Sequence, residues 1–528
     1  MQLRHPLLPT SVVLMVLAFA AAWWFSRYSS SPPADPVRQG RQPYPQLLPD
    51  HTAADALPVQ NTPRPTRNAP PQQGLARPSE IILRAEDRKA YEKILAEAAQ
   101  NGAIVVRSLD QLNAVQLKIT DASRFADWAA RNGFEAAPNF FVYTPGISQN
   151  ELGSLDSFTA TGANLAEWIG VENRSGTGVR VAVLDSGIST HPTFAASEII
   201  RGDDAADVYE NGHGTAVASL IAGSHPQAEG IAPGVTLLDF PVLDQQGIGD
   251  TFLLAQKIVE AVDSGARIMN LSLGATGDSA LVREAIAYAQ AQDVIVVAAA
   301  GNEGLSQLSL PAYLPGVVAV GAVDAHDQLM PFSNRGDGLD VVAPGYQVQT
   351  AWPDEKLIQM TGTSGAVPIV TGALATLLAR EPDLSGAQAV EILHKYSNEA
   401  GTPGVDTAYG YGVLDLNRML QRNVRGIYDA AVVSQYPAPS QTGQWHVIVQ
   451  NQGTETLYGI QVQSTSFGVP SSQFIQLLQP GEVAVTSHRM IDVYQPTQKL
   501  TTEISGNYRD MDAWNDTLHS VIEQDTDE

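Results

Sequence analysis

The sequence predicts an α/β protein with a mostly parallel central sheet, preceded by a ferredoxin-like α+β module and followed by a small β-sandwich. Three observations predict this. Residues 161–424 hold short apolar runs, VRVAVLD, TLLDFPVL, ARIMNLSLG, VIVVAAAGN, VVAVGAV and LDVVAPG, separated by helical segments. Strands that are apolar on both faces belong to parallel sheets covered by helices. Residues 79–145 read strand, helix, strand, strand, helix, strand, which is the ferredoxin-like order. Residues 430–515 alternate polar with apolar between Gly, Pro and Asn turns, the pattern of a sandwich. A chain of 528 residues exceeds a single core, and 44% hydrophobic with 16% charged residues describes folded protein rather than disorder.

Taken in order, residues 1–28 form a signal peptide or signal anchor. Arg4 precedes an apolar run from Val12 to Phe25 and Arg27 follows it. Small residues within the run suit cleavage, whereas Trp23 and Trp24 suit the interface of an uncleaved anchor. Either way the chain is exported: periplasmic, extracellular, or anchored facing away from the cytoplasm. Residues 29–78 are a Pro-rich linker that cannot bury enough apolar surface to fold. In the module, EIILRA is a strand and EDRKAYEKILAEAAQNG a helix ending at Gly102. AIVVRSL and AVQLKI are strands, DASRFADWAARNG is a helix capped by Asp121, and NFFVY is the last strand. In the sandwich, WHVIVQNQG, YGIQVQSTSFG, FIQLLQPGEVAVTSHRM and KLTTEISGNYR are the strand segments, and 516–528 reads as an acidic tail.

The formal charge of −25 excludes a nucleic-acid partner, because no basic surface is available to displace counterions from phosphates. The absence of cysteine removes disulfides, thiolate chemistry and Cys-based zinc sites. His191, His225 and His326 show no metal-ligand spacing. Asp203, Asp204 and Asp207 offer oxygen ligands to calcium, or are simply a solvated loop. Arg201-Gly202-Asp203 reads as a turn.

In open α/β sheets, sites gather beyond the carboxyl ends of the strands. Searching those ends finds Asp185 after VAVL, His213 in NGHGTAVASLIAG, Asn302 in VVAAAGNEG and Ser364 in MTGTSGAVPIVTGALA. Singly each has an ordinary reading as a turn residue or helix cap. Together, at the right ends of buried strands and helices, they favour a site.

The segments DSGISTHP, NGHGTAVAS and GTSGAVP, in that order, resemble the signatures of the subtilisin-like serine proteases. IAPGVTLLDFPVLDQQGIGDT, RIMNLSLG, VVAAAGNEG, LPAYLPGVVAVGAVD and FSNRGDGLDVVAPG extend the resemblance across residues 161–424. It implies a serine endopeptidase with Ser364 as nucleophile, His213 as base and Asp185 orienting the imidazole. Asn302 and the Ser364 N–H would form the oxyanion hole. It further implies two substrate-binding edges, Ser272-Leu273-Gly274 and Gly247-Ile248-Gly249. The primary pocket would be walled by Ala299-Ala300-Gly301, with Ser309 near its base and room for a sizeable apolar side chain. Pro311 matches a proline that is cis in relatives. The module at 79–145 then resembles the propeptide of such proteases, an intramolecular inhibitor cut away by self-cleavage within Thr144–Thr161. The C-terminal domain resembles CARDB-like or Ig-like adhesion domains through NQGTETL and LQPGE.

Several positions depart from the family pattern. Gly365 follows the serine where most relatives carry Met, Val367 and Ile369 flank Pro368, and Ala216 follows His-Gly-Thr. Gly365 is expected to open space on the leaving-group side and, lacking a thioether, to give activity that tolerates peroxide. Pro368 is expected in the first helical turn, where a missing N–H costs little. Two functions follow: an exported, self-processed endopeptidase acting on protein or peptide substrates, or a catalytically inactive relative serving as a binding or adhesion protein.

Overall fold

A computed structural model of the chain describes residues 75–144, 175–202, 209–275, 277–438, 443–466, 468–489, 497–510 and 515–523. The N-terminal segment, nearly all of the linker, the self-cleavage loop beyond Thr144 and the carboxylates at 203, 204 and 207 lie outside these residues.

The N-terminal module contains β1 (Ala76–Arg84), α1 (Arg88–Glu97), β2 (Ala103–Leu109), β3 (Ala114–Ile119), α2 (Ala122–Asn132) and β4 (Ala136–Tyr143). The strands lie in the order β4-β1-β3-β2, all antiparallel. Asp87 and Asp121 start the helices by accepting from the N–H groups of Ala90 and Arg124. Gly133, at φ 68°, ends α2 in the left-handed conformation that glycine adopts without strain. Tyr91 and Ile94 of α1 and Phe125 and Trp128 of α2 close over Leu83, Val115 and Leu117, giving the module its own core.

The central domain is built on β5 (Arg180–Asp185), β6 (Glu198–Arg201), α3 (His213–Ala222), β7 (Thr236–Pro241), β8 (Ile248–Asp250), α4 (Thr251–Asp263), β9 (Ile268–Leu271), α5 (Ala280–Ala291), β10 (Ile295–Ala299), β11 (Val318–Val323) and β12 (Val341–Pro344). A hairpin of β13 (Val348–Trp352) and β14 (Lys356–Met360) leads to α6 (Thr363–Arg380), α7 (Gly386–Tyr396) and α8 (Leu416–Gln421). Seven strands form a parallel sheet in the order β12-β11-β10-β9-β5-β7-β6. Successive strand residues face opposite sides, so Val181 and Val183 pack with α3 and α6, while Ala182 and Leu184 pack with α4 and α5. α6 is long and apolar enough to span a membrane, yet 89% of it is buried inside the protein, so it is an interior helix. Truncating Leu374 within it to Ala is expected to cost about 2–5 kcal/mol.

Pro368 is the sixth residue of α6, in its second turn and not its first. Its missing N–H therefore removes a hydrogen bond to the carbonyl of Ser364, with consequences below. Edge strand β6 and the β13–β14 hairpin have no counterpart in the sequence pattern, because they are short and only half apolar.

The C-terminal domain stacks a sheet β15-β16-β19 against a sheet β18-β17-β20-β21. Its strands are β15 (Ala430–Pro437), β16 (Gln444–Asn451), β17 (Leu457–Ser466), β18 (Val469–Leu478), β19 (Val483–Arg489), β20 (Thr497–Ser505) and β21 (Thr517–Glu523). FIQLLQPGEVAVTSHRM is not one strand: it crosses between the sheets at a turn where Gly481 adopts φ 77°. Nor do residues from 516 onward form a tail throughout, since Thr517–Glu523 pairs antiparallel with β20. Buried Arg418 of α8 ties the domains together by donating to the carbonyls of Ser397 (2.9 Å) and Gln452 (3.1 Å).

Candidate active site

Asp185 closes β5 and is fully buried. Its carboxylate accepts from Ser186 N at 2.7 Å and lies 2.8 and 3.0 Å from Nδ1 of His213, the first residue of α3. A carboxylate only accepts, so Nδ1 carries the imidazole proton and the Nε2 lone pair is left available. Gly214 is required where it stands, because a Cβ there would sit 2.5 Å from the carbonyl oxygen of Gly187. Ser186 Oγ completes the support by accepting from Gly214 N (3.0 Å) and donating to Asn211 O (2.9 Å).

Ser364 is the second residue of α6 and only 2% exposed. Its Oγ donates to the Ser272 carbonyl at 3.2 Å, and its own carbonyl accepts from Ser272 Oγ at 3.0 Å. Pro368 explains the second bond, because it leaves that carbonyl without its helical donor. Asn302 follows β10 in sequence, and its Oδ1 accepts from both the N–H and the hydroxyl of Thr363, each at 2.8 Å. These two donors fix the amide orientation, so Nδ2 is the group presented toward the turn before Ser364. It lies 2.9 Å from where a Cβ on Gly362 would stand, and Gly362 holds φ 138°. A fixed amide donor beside a hydroxyl at a helix N-terminus is an arrangement that stabilises a developing oxyanion.

Both expected substrate edges are engaged by the module. Tyr143 exchanges two backbone hydrogen bonds with Gly274 (3.0 and 2.9 Å), and Thr144 N donates to Gly247 O at 3.3 Å. β4 also pairs antiparallel with β8, Tyr143 opposite Ile248 and Val142 opposite Gly249. The side chains of Ser272 and Leu273 are buried, so these residues also belong to the core. Asp250, which caps α4, is held by Arg77 (3.4 Å) and Arg107 (3.3 Å) of the module.

Ala299 and Ala300 are fully buried and Ser309 is 8% exposed, with Ser309 N donating to Ala300 O at 2.9 Å. The Leu310–Pro311 peptide is cis. Gly301, at φ 112°, has no room for a side chain: a Cβ would lie 2.1 Å from Asn334 Nδ2, 2.5 Å from Ser309 Oγ and 2.7 Å from the Glu303 carboxylate. Asn334 organises this corner by donating to Glu303 Oε2 (2.7 Å) and Ala300 O (3.2 Å) and accepting from Leu305 N (2.8 Å). The sequence placed Thr363 in the nucleophile turn with Ser364, but gave no hydrogen-bonding role to Thr363, Asn334 or Glu303. FSNRGDG and GNEG contained two of them, but spacing alone does not reveal a hydrogen-bond hub.

Two further features went unforeseen. Asp239, 3% exposed, accepts from Ile188 N at 3.2 Å and faces Arg201 at 3.7 Å. Burial pushes its carboxyl up to about 7, opposed by the Ile188 N–H and Arg201 and reinforced by Asp185. Secondly, the space expected beside Gly365 is not open. A Cβ there would meet Met360 Cγ at 3.6 Å and Sδ at 3.8 Å. Among the described residues no group of three or more His, Asp or Glu side chains is placed to hold a metal.

A buried Asp–His pair and a serine opening an interior helix, on a parallel α/β sheet, define the class of the serine endopeptidases with this architecture. The comparisons agree. The family described as "Subtilase family" matches residues 176–412. Subtilisin BL and Subtilisin Savinase, both from Lederbergia lenta, are each 38% identical over 246 residues, 46% of this chain and 90% of each of those proteins. Minor extracellular protease Epr of Bacillus subtilis (strain 168) is 35% identical over 249 residues, 46% of this chain and 38% of that protein. The chain belongs to the subtilase family and is a serine endopeptidase.

Proposed function

We propose that the chain is an exported endopeptidase, made as a zymogen, that cleaves peptide bonds through Ser364, His213 and Asp185. The observation that carries this is the 2.8 Å contact of His213 Nδ1 with buried Asp185, which leaves Nε2 as the base. Ser364 Oγ leaves the Ser272 carbonyl, gives its proton to His213 Nε2 and attacks the substrate carbonyl. The oxyanion is held by Asn302 Nδ2 and the Ser364 N–H. His213 then returns the proton to the leaving amine, and water repeats the sequence on the acyl-enzyme. Substrate backbone extends the edges at Gly247–Gly249 and Ser272–Gly274, with an apolar side chain in the pocket walled by Ala299, Ala300, Gly301 and Ser309.

The module at 79–145 acts as an intramolecular inhibitor. Support comes from Tyr143 and Thr144 pairing with Gly274 and Gly247, where a substrate would pair. Export is supported by the apolar segment from Val12 to Phe25 and by the extracellular protease among the relatives. Calcium binding has no support among the described residues.

The competing reading, an inactive relative used for binding, is separated by one experiment. A fluorophosphonate probe should label Ser364 of the wild type once the module is removed, and should not label Ser364→Ala. Absence of labelling on the wild type would sink the protease mechanism. N-terminal sequencing of the purified product reports self-processing, which should place the new terminus after Thr144.

A further inference from the structure

β13 and β14 form a hairpin that ends immediately before the turn into α6, and Met360 is its last residue, opposite Val348. This register turns the Met360 side chain inward, into the buried cluster that contains Val348, Ala366 and Val367. Its thioether lies at van der Waals distance from the position of a side chain on Gly365, 3.6 Å for Cγ and 3.8 Å for Sδ. Met360 thus fills from the hairpin the volume that the residue after Ser364 leaves empty. It keeps 7% exposure, whereas Met269, Met330 and Met419 keep none. Among the described residues it is therefore the methionine that solvent reaches, and it is the one beside the serine turn.

We propose that Met360 is a redox modification site through which peroxides control the activity. The proposal rests on Ser364 being the nucleophile. Hydrogen peroxide donates one oxygen to Sδ: the O–O bond breaks, an S–O bond forms, the sulfur is oxidised by two electrons and water leaves. The product places a polar, chiral sulfoxide among apolar groups with no donor assigned to it, and a buried acceptor in that position seeks one. The adjacent serine turn carries N–H groups, among them Gly365 N, which now donates to Gly362 O at 2.9 Å. Drawing that turn toward the sulfoxide moves the Ser364 N–H away from the oxyanion position. This reverses the peroxide tolerance that Gly365 suggests from sequence, because the thioether is supplied by a different strand.

The test uses protein purified after expression of the full chain, with a separate aliquot first titrated with a fluorophosphonate to count active sites. Wild type and Met360→Leu, a swap that nearly conserves volume, are treated with hydrogen peroxide while turnover of a peptide substrate is followed and methionine-containing peptides are mapped by mass. The expected result is a fall in wild-type kcat of about tenfold, equivalent to about 1.4 kcal/mol in the barrier, with KM little changed. That fall should track addition of one oxygen to Met360, and the Leu variant should stay within about twofold of its starting rate under a barrier change of about 0.4 kcal/mol. Oxygen on Met360 with undiminished activity overturns the proposal, as does inactivation without oxygen on Met360 or equal inactivation of the Leu variant. If Met360→Leu does not fold, the correlation between oxygen on Met360 and activity in the wild type decides alone. Failure of the initial titration refutes Ser364 as nucleophile instead, while titratable enzyme indifferent to Met360 oxidation refutes only this inference.

Discussion

Ser272→Ala tests how the serine turn is held. Thr371 Oγ1 donates to Asn270 Oδ1 (3.0 Å), Asn270 Nδ2 donates to Ser272 Oγ (2.9 Å), and Ser272 Oγ donates to the Ser364 carbonyl (3.0 Å). Thr371, Asn270 and Ser272 are fully buried. Removing one hydroxyl orphans an amide hydrogen and a carbonyl together, and each buried unsatisfied group costs about 1–3 kcal/mol. Allowing for relaxation, the variant is expected to lose about 2–4 kcal/mol of stability, with kcat falling more than KM rises. Stability is read from urea unfolding in a Ser364→Ala background, which prevents self-digestion and keeps the carbonyl in question. The decisive companion is Pro368→Ala, which restores the N–H that the helix would aim at Ser364 O. In the double variant that carbonyl is satisfied again, so the two substitutions should couple favourably by about 1 kcal/mol or more. Strict additivity, or a Ser272→Ala cost below about 0.5 kcal/mol, would refute the reasoning.

Four further outcomes are expected. Asp185→Asn should lower kcat about 10⁴-fold, because the amide favours the wrong imidazole tautomer; active-site-titrated enzyme reports it. Thr363→Val removes one of the two donors that fix Asn302 and should reduce kcat about tenfold while leaving substrate binding nearly intact, as steady-state kinetics will show. Arg77→Ala with Arg107→Ala leaves Asp250 capping α4 but unpaired against the module, so inhibition by added module should weaken about tenfold in a competition assay. Asp239, with its carboxyl raised to about 7, is stabilising in its protonated form. That contribution is fully present below about pH 4 and is lost as pH rises through about 7. Asp239→Asn should therefore flatten the fall in Tm between about pH 4 and 7, and an unchanged slope would count against it.

Much of this protein was legible in the sequence because periodicity and strand-end chemistry are local. The ferredoxin-like order at the N-terminus, the parallel sheet and the sandwich all follow from runs such as VRVAVLD and from turn residues such as Gly102 and Asp121. Asp185, His213, Asn302 and Ser364 stood out because each follows a buried strand or opens a buried helix. The sequence misplaced what depends on registry: Pro368 by one turn of α6, the split of FIQLLQPGEVAVTSHRM between two sheets, and the strand Thr517–Glu523.

What only the tertiary structure decided is which distant side chains meet. The order of Asp, His and Ser along the chain carries no distance, and the hydrogen bonds of Ser272, Thr363 and Asn334 join residues about 30 to 90 positions apart. Such contacts follow from how strands stack in the sheet and how α6 enters it, not from any local pattern. Gly365 shows the difference most directly. Read alone it announces an empty space and a missing thioether. Packing fills that space with Met360, because a hairpin that ends just before the helix must place its last inward residue against the helix's first turn.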